Sequence, residues 1–187
     1  MNPVSSLTVD VGRIRDVVGA SLSFAVRAPA AELLADRADL HWRGEVEAAG
    51  QVINEEEILH VVGSVQAQAE ALCARCLAPV PVTLVSPLDE EYRSSRAAGS
   101  PFPGKTRNFD GEVRSYRGDE LDLTEPAVEA IWVAVPLRTL CRPDCRGLCL
   151  QCGKNLNEDS CACQPPTSGV GVWQAALLEW EHRKRGE

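Results

Sequence analysis

Apolar and polar residues alternate along residues 58–72, which is the clearest pattern in the chain. Successive side chains of a β-strand point to opposite faces, so this alternation indicates a strand with one buried and one exposed face. The apolar positions are Val61, Val65, Ala67, Ala69 and Ala71, and the polar positions are Ser64, Gln66, Gln68 and Glu70. The pattern predicts a half-buried strand.

Residues 80–88 repeat this alternation. One face would carry Val80, Val82, Leu84, Ser86 and Leu88. Proline cannot donate a hydrogen bond to a neighbouring strand, so Pro81 and Pro87 predict an edge strand or a strand with a bulge.

Two further strands are expected, at residues 40–48 and 112–117. Cys73 and Cys76 fall between the two clearest strands, so they are predicted to lie in a hairpin turn. Connections this short predict an antiparallel sheet.

Residues 122–136 have the pattern of a helix. Thr124 can cap its N-terminus, Pro126 suits its first turn, and Pro136 ends it. The apolar face consists of Val128, Ile131, Trp132 and Val135.

The remaining segments are more polar. Residues 94–111, rich in Ser, Pro and Gly, are predicted to form a mobile loop, and residues 164–171 a linker. A short amphipathic helix is expected over residues 173–185, with an apolar stripe of Trp173, Ala176, Leu177 and Trp180. This helix would pack on the body or dock on a partner.

These elements predict an α+β fold with an antiparallel β-sheet core and a few helices. The C-terminal module is Cys-rich, with six cysteines in residues 141–163, and for that reason is expected to be zinc-binding. The expected division is a mainly β core domain at 1–136 and a zinc module at 137–164. A linker and helix at 165–187 complete the chain.

Composition and charge restrict the class of protein. The chain of 187 residues has no apolar run long enough for a membrane helix, and residues 1–24 do not resemble a secretory signal. A cytoplasmic location is expected, where thiols stay reduced. The net charge is −8, of which −6 falls in residues 1–72. This balance argues against a broad nucleic-acid-binding surface, but a protein partner or a small basic RNA contact stays open.

The cysteines are the strongest chemical signal. Six of the eight fall within residues 141–163, and the other two are Cys73 and Cys76. Zinc prefers four soft ligands, and Cys-x-x-Cys supplies two from one turn. The preferred partition has two structural Zn²⁺ sites: Cys149, Cys152, Cys161 and Cys163 at one, and Cys73, Cys76, Cys141 and Cys145 at the other. A single zinc in the 141–163 module, with Cys73 and Cys76 as a free pair, and disulfides are the alternatives.

Catalysis is not expected. The three histidines, His41, His60 and His182, show no metal-ligand spacing, and no phosphate-binding loop or nucleophile motif is present. All-cysteine zinc sites are normally closed and structural. A zinc-thiolate redox switch remains an alternative.

The order of motifs resembles the YceD family, the large ribosomal RNA subunit accumulation proteins. The motifs are Cys73-Ala-Arg-Cys76-Leu, Gly118-Asp-Glu-Leu-Asp-Leu123, Val135-Pro-Leu-Arg-Thr-Leu-Cys141, Cys145-Arg-Gly-Leu-Cys149-Leu-Gln-Cys152-Gly-Lys-Asn-Leu-Asn157 and Cys161-Ala-Cys163. The resemblance covers nearly the whole chain. It implies a bacterial cytosolic or plastid protein needed for normal levels of 23S ribosomal RNA, with no established enzymatic activity.

The resulting hypothesis is a non-catalytic factor that supports 23S ribosomal RNA accumulation through ribosome assembly, processing or protection. Its partner would be ribosomal RNA, a large-subunit assembly intermediate or a ribosomal protein, with no membrane and no small-molecule substrate. The candidate contact residues are Arg138, Arg142, Arg146, Lys154, Arg183, Lys184 and Arg185. The alternative to RNA contact is an adaptor that binds a basic ribosomal protein through the acidic N-terminal region.

Overall fold

The computed structural model describes residues 6–56, 58–94, 106–108, 111–163 and 180. In chain order the elements are β1 (Thr8–Asp10), β2 (Ser21–Pro29), α1 (Ala30–Leu33), β3 (Leu40–Glu55), β4 (Ile58–Leu72), β5 (Pro79–Ser94), β6 (Thr106–Asn108), β7 (Gly111–Tyr116), β8 (Glu120–Asp122) and α2 (Thr124–Ala134). Among the described residues, no helix combines the length and apolar character needed to cross a membrane.

A six-stranded sheet in the order β2-β3-β4-β5-β7-β6 forms the body, and β1 pairs with β8 in a separate two-stranded sheet. Strands β2 to β5 are antiparallel, as predicted. The pairing of β5 with β7 is instead parallel. A parallel pair requires a long crossover, and the segment between Ser94 and Gly111 supplies it.

The alternation predicted for β4 is confirmed. Its five predicted inward residues are all buried, whereas Ser64, Gln66 and Gln68 are exposed. The buried face packs with residues of β1, β8 and α2 in one hydrophobic core. The opposite face of β4 is therefore largely exposed, and it carries Val62 among its polar residues.

Strand β5 is an edge strand over most of its length, as its prolines predicted. It pairs with β4 from Pro79 to Arg93, but its described pairing with β7 covers only Tyr92–Ser94. Proline suits an open edge because it removes a donor that another strand could use. The prolines therefore protect this edge from unwanted strand addition.

Strands β3 and β4 approach closely where two glycines face each other. Gly50 pairs with Gly63, and a Cβ on Gly63 would overlap the carbonyl oxygen of Ala49. A Cβ on Gly50 would overlap the carbonyl oxygen of Val62 in the same way. Only glycine fits both positions without moving the strands apart.

Helix α2 begins differently from the prediction. Thr124 is its first residue rather than its cap, and the hydroxyl of Thr124 accepts a hydrogen bond from the Leu7 N–H at 2.9 Å. The Asp122 carboxylate instead accepts from the Thr124 N–H at 2.8 Å. The predicted cap is wrong because a tertiary contact to the N-terminal segment uses the threonine oxygen.

Arg114 joins three elements around one buried guanidinium. It donates from β7 to Glu90 of β5 at 2.8 Å, and to Glu125 and Glu129 of α2 at 2.6 and 2.5 Å. Burial opposes the charge, but the bonds to Glu90 and Glu129 raise the pKa of Arg114 above its ordinary value. The helix is thereby held against the sheet by charge as well as by apolar packing.

Two predicted segments lie wholly or partly outside the described residues. The mobile-loop prediction for 94–111 does not hold at 106–108, which form β6 on β7. Residues 95–105 and 109–110 are outside the described ranges, as are 164–179 and 181–187, so the linker and C-terminal helix stay predictions.

Replacing Gly63 by alanine is expected to lower the free energy of unfolding by about 1–3 kcal/mol, because the added Cβ overlaps backbone. Urea unfolding measures this change. Ser64→Ala, the next residue on the exposed face, is the matched control and should stay within about 0.5 kcal/mol of the wild type. A Gly63→Ala variant as stable as the control would contradict the close approach.

Candidate metal centres

The first centre comprises Cys73, Cys76, Cys141 and Cys145. Its first two cysteines lie in the turn between β4 and β5, as predicted. The Cys73 N–H donates to the Ala78 carbonyl at 2.8 Å, and the Leu77 N–H donates to the Cys73 carbonyl at 2.9 Å. Leu77 has a φ of 60°, in the left-handed region that few residues other than glycine adopt. The turn is thus a tight knuckle around the two sulfur atoms.

The segment after α2 supplies the other two cysteines of the first centre. It is held against the turn by backbone bonds: the Ala74 N–H donates to the Thr139 carbonyl at 2.8 Å, and the Leu148 N–H to the Arg75 carbonyl at 3.2 Å. The Arg75 guanidinium donates to the Cys145 carbonyl at 2.7 Å. Apolar contacts complete the enclosure, from Ala78, Val80, Leu140 and Leu148. Two segments far apart in sequence therefore meet at four sulfur atoms.

The sulfur positions of the first centre fit a tetrahedral metal ion. The Sγ atoms of Cys73 and Cys145 are 3.8 Å apart, and those of Cys76 and Cys141 are 3.6 Å apart. Zinc–sulfur bonds of about 2.3 Å give a tetrahedron with edges of about 3.8 Å. A disulfide would need about 2.05 Å, and all eight cysteines are free. The spacing thus suits a metal ion and not a disulfide.

The second centre comprises Cys149, Cys152, Cys161 and Cys163. Its knuckle is closed by the Cys149 N–H, which donates to the Lys154 carbonyl at 2.8 Å, and by the Gly153 N–H, which donates to the Cys149 carbonyl at 2.9 Å. Gly153 has a φ of 71°, where glycine is favoured. The four sulfur atoms lie within 4.8 Å of one another. The structure therefore groups the cysteines in the two sets of the preferred partition.

Backbone N–H groups favour the thiolate form of one cysteine in each centre. The N–H groups of Cys141 and Cys76 lower the pKa of Cys73 to about 6. Those of Cys152 and Gln151 lower the pKa of Cys149 to about 6. A thiolate is the form that binds metal, so these amides favour metal binding at neutral pH.

Neither of the two described histidines contributes to a centre. The His60 ring lies on β4 and meets Asp89 at 2.6 Å, and this hydrogen bond raises the pKa of His60. His41 contacts Asp36 at 3.2 Å. His182 lies outside the described residues. The candidate ligands are therefore all thiolates, a donor set that suits zinc in a closed structural site.

The predicted contact residues lie around the two centres where they are described. Arg138, Arg142, Arg146 and Lys154 are exposed, and 183–185 are outside the described residues. Arg142 donates to the Asn157 side chain at 2.9 Å, and Lys154 pairs with Asp159 at 3.2 Å. The charges of these two residues are thus partly engaged within the protein.

A groove of about 340 Å³ opens beside the first centre. Arg37 and Arg138 contribute to its lining, together with the half-buried ring of Trp132. Leu77 and Leu137, which also line it, are largely exposed. In the groove, apolar side chains lie next to the Arg138 guanidinium, whereas the charge of Arg37 is paired with Asp39 at 3.0 Å.

Sequence reasoning missed two residues of these sites, Arg75 and Asn157. The position of Arg75 inside Cys73-Ala-Arg-Cys76 was a usable signal, because a residue between two ligands must lie close to the site. Asn157 donates to the Cys145 sulfur at 3.2 Å. No local spacing pointed to that contact, since it joins the two cysteine groups in space.

The fold and the sites define a mainly β protein with two four-thiolate candidate metal centres. The family model for large ribosomal RNA subunit accumulation protein YceD matches residues 61–171, and the chain belongs to this family. The match begins within β4 and includes both centres. Strands β1 to β3 lie outside the match. The residues that match the family model therefore include most of the β4–β5 hairpin, α2 and the Cys-rich module.

Similar proteins occur in mycobacteria and plants. An uncharacterized protein of Mycobacterium tuberculosis is 34% identical over 164 residues, covering 83% of this chain and 73% of that protein. A Mycobacterium leprae protein is 24% identical over 140 residues, covering 75% and 61%. The large ribosomal RNA subunit accumulation protein YCED homolog 1, chloroplastic, of Zea mays is 43% identical over 47 residues, covering 25% and 16%. No solved structure matches significantly.

In metal-free protein that circular dichroism shows to be folded, the rate of Cys149 alkylation by iodoacetamide is expected to reach half its maximum near pH 6, because its pKa is lowered to about 6. Mass spectrometry of the cysteine peptides follows each site separately. Cys163 is the internal control: its hydrogen bond with Cys152 raises its pKa to about 12, so it should stay unreactive at neutral pH. Reaction of Cys149 that begins only near pH 9 would contradict the assigned amide contacts.

Proposed function

We propose that this protein is a non-catalytic factor that supports accumulation of 23S ribosomal RNA in the cytoplasm, by acting on large-subunit assembly or on RNA processing or stability. The observation that carries the proposal is the YceD family match, which covers both cysteine centres. The printed name of the Zea mays relative supports the same role. The two candidate centres consist only of thiolates, a donor set typical of closed structural sites, which favours a binding role over an enzymatic one.

Both centres are proposed to hold Zn²⁺ as a structural ion. Four thiolates complete the tetrahedral coordination of zinc, leaving no open position for substrate or water. The first centre would join the β4–β5 turn to the segment after α2, and the second would fold the residues between Cys149 and Cys163. Zinc would thus fix the shape of the surface that contacts the partner.

The proposed contact surface surrounds these centres, and its partner is ribosomal RNA or a large-subunit assembly intermediate. Arg138 and Arg146 are exposed. Arg138 also lines the groove that contains Trp132. Arginine and aromatic side chains together suit unpaired RNA, whose phosphates and bases they contact. A localised contact of this kind is compatible with the net charge of −8.

Reversing the charge of both Arg138 and Arg146 to glutamate is expected to reduce co-sedimentation with large-subunit precursors several-fold, because each contact with phosphate is replaced by repulsion. Sucrose gradients of lysate, blotted for the tagged protein, measure the change. Arg142 is left intact because it bonds to Asn157. The control reverses Arg13, an exposed arginine outside the module, and leaves Arg27 intact because it pairs with Glu47 at 3.0 Å.

Equal co-sedimentation of the Arg138/Arg146 variant and the wild type would contradict this contact surface. RNase treatment of the same lysates separates RNA contact from an adaptor role. Release of the wild-type protein by RNase supports an RNA tether. Association that survives complete digestion would favour binding to a ribosomal protein.

Replacing Cys149 and Cys152 by serine is expected to remove one of two zinc ions and to destabilise residues 149–163. The loss could reach several kcal/mol, because metal affinity in a small module is also folding free energy. Elemental analysis and thermal unfolding measure the two effects. Ser160→Ala, in the same loop, is the control. A double variant that keeps two zinc ions and melts like the wild type would refute the second centre.

A further inference from the structure

Asn157 connects the two centres through its side chain. It lies between Cys152 and Cys161, within the loop that the second centre closes. Its amide Nδ2 donates to the Sγ atom of Cys145, a candidate ligand of the first centre, at 3.2 Å. A single hydrogen bond to sulfur thus joins the loop of the second centre to a candidate ligand of the first.

Several other bonds fix the orientation of the Asn157 amide. Its Oδ1 accepts from the Arg146 N–H at 2.8 Å and from the Arg142 guanidinium at 2.9 Å. Its Nδ2 also donates to Asn155 Oδ1 at 2.9 Å. Because the acceptors and donors around it are distinct, the amide has one favourable orientation, with its N–H groups towards the sulfur.

The backbone strengthens this connection. The Leu156 N–H donates to the Gly147 carbonyl at 2.9 Å, and Leu148 forms an isolated β-bridge with Asn155. The chain that follows Cys145 and the chain that precedes Cys161 are therefore held side by side. Movement of the second loop would carry Asn157 away from the first centre.

We propose that Asn157 is a positioning residue that couples the two metal centres, so that an ion bound at the second centre slows loss of the ion from the first. The inference rests on the proposed occupancy of both centres by metal. Hydrogen bonds to metal-bound sulfur are outer-shell interactions, which stabilise the ligand in its bound position. Because the second centre orders the loop that carries Asn157, its occupancy preserves the bond to Cys145. The corresponding coupling in binding free energy is reciprocal by linkage.

Asn157→Asp is the sharpest test because it keeps the Oδ1 acceptor and removes the donor to sulfur. The protein is loaded with ¹¹³Cd²⁺, and NMR follows the release of the ion from each centre to excess EDTA. The NMR signal of the first centre is the one that is missing in the Cys73→Ser variant. Release from the first centre should be about tenfold faster in Asn157→Asp, the lower end for loss of an outer-shell partner. Ser160→Asp, which adds the same charge in the same loop, should release the first ion at the wild-type rate.

A second comparison tests the coupling itself and does not depend on the stability of one variant. Cys163→Ser, which opens the second centre, should speed release from the first centre in the wild-type background. In an Asn157→Ala background the same change should have little further effect, because the link is already lost.

Two results would overturn the coupling while leaving the metal sites intact: wild-type release from the first centre in Asn157→Asp, or an equal effect of Cys163→Ser in both backgrounds. Failure of the wild-type protein to take up Cd²⁺ at either centre would instead refute the proposed metal sites, and the coupling with them.

Discussion

Four sulfur atoms from two distant segments converge at the first centre, and the arrangement of the C-terminal half depends on this convergence. Cys73 and Cys76 come from the turn between β4 and β5, whereas Cys141 and Cys145 follow α2. Two pairs of these Sγ atoms lie 3.6–3.8 Å apart, so four thiolates could coexist here only with a cation between them, and without an ion some of the thiols keep their protons. A bound ion would form a cross-link between the sheet and the Cys-rich module.

The body of the protein presents these segments to each other. The Gly50–Gly63 pair brings β3 and β4 together, and the buried face of the sheet packs against α2. Arg114 fixes the start of α2 through Glu125 and Glu129, and Pro136 ends the regular helix nearby. The chain then turns towards the hairpin. The sheet and helix therefore act as the frame on which the surface around the centres is built.

Local patterns predicted the parts of this structure that depend on local physics. Alternation identified β4 and its buried face, proline placement identified the open edge of β5, and short spacing grouped Cys149 with Cys152. The parallel pairing of β5 with β7 was not predictable, because it depends on the path of a long connection. The position of Thr124 was missed because Leu7 binds its hydroxyl, and the Arg114 network because its carboxylates come from separate elements. Each of these features depends on a tertiary contact, which the spacing of residues along the sequence does not predict.

X-ray absorption at the zinc edge, combined with elemental analysis of the purified protein, would establish whether both centres hold zinc. We expect two zinc ions per chain, each surrounded by four sulfur atoms at about 2.3 Å and by no nitrogen or oxygen ligand. A protein with no bound metal, a single ion, or a coordination shell that includes nitrogen or oxygen would contradict this expectation.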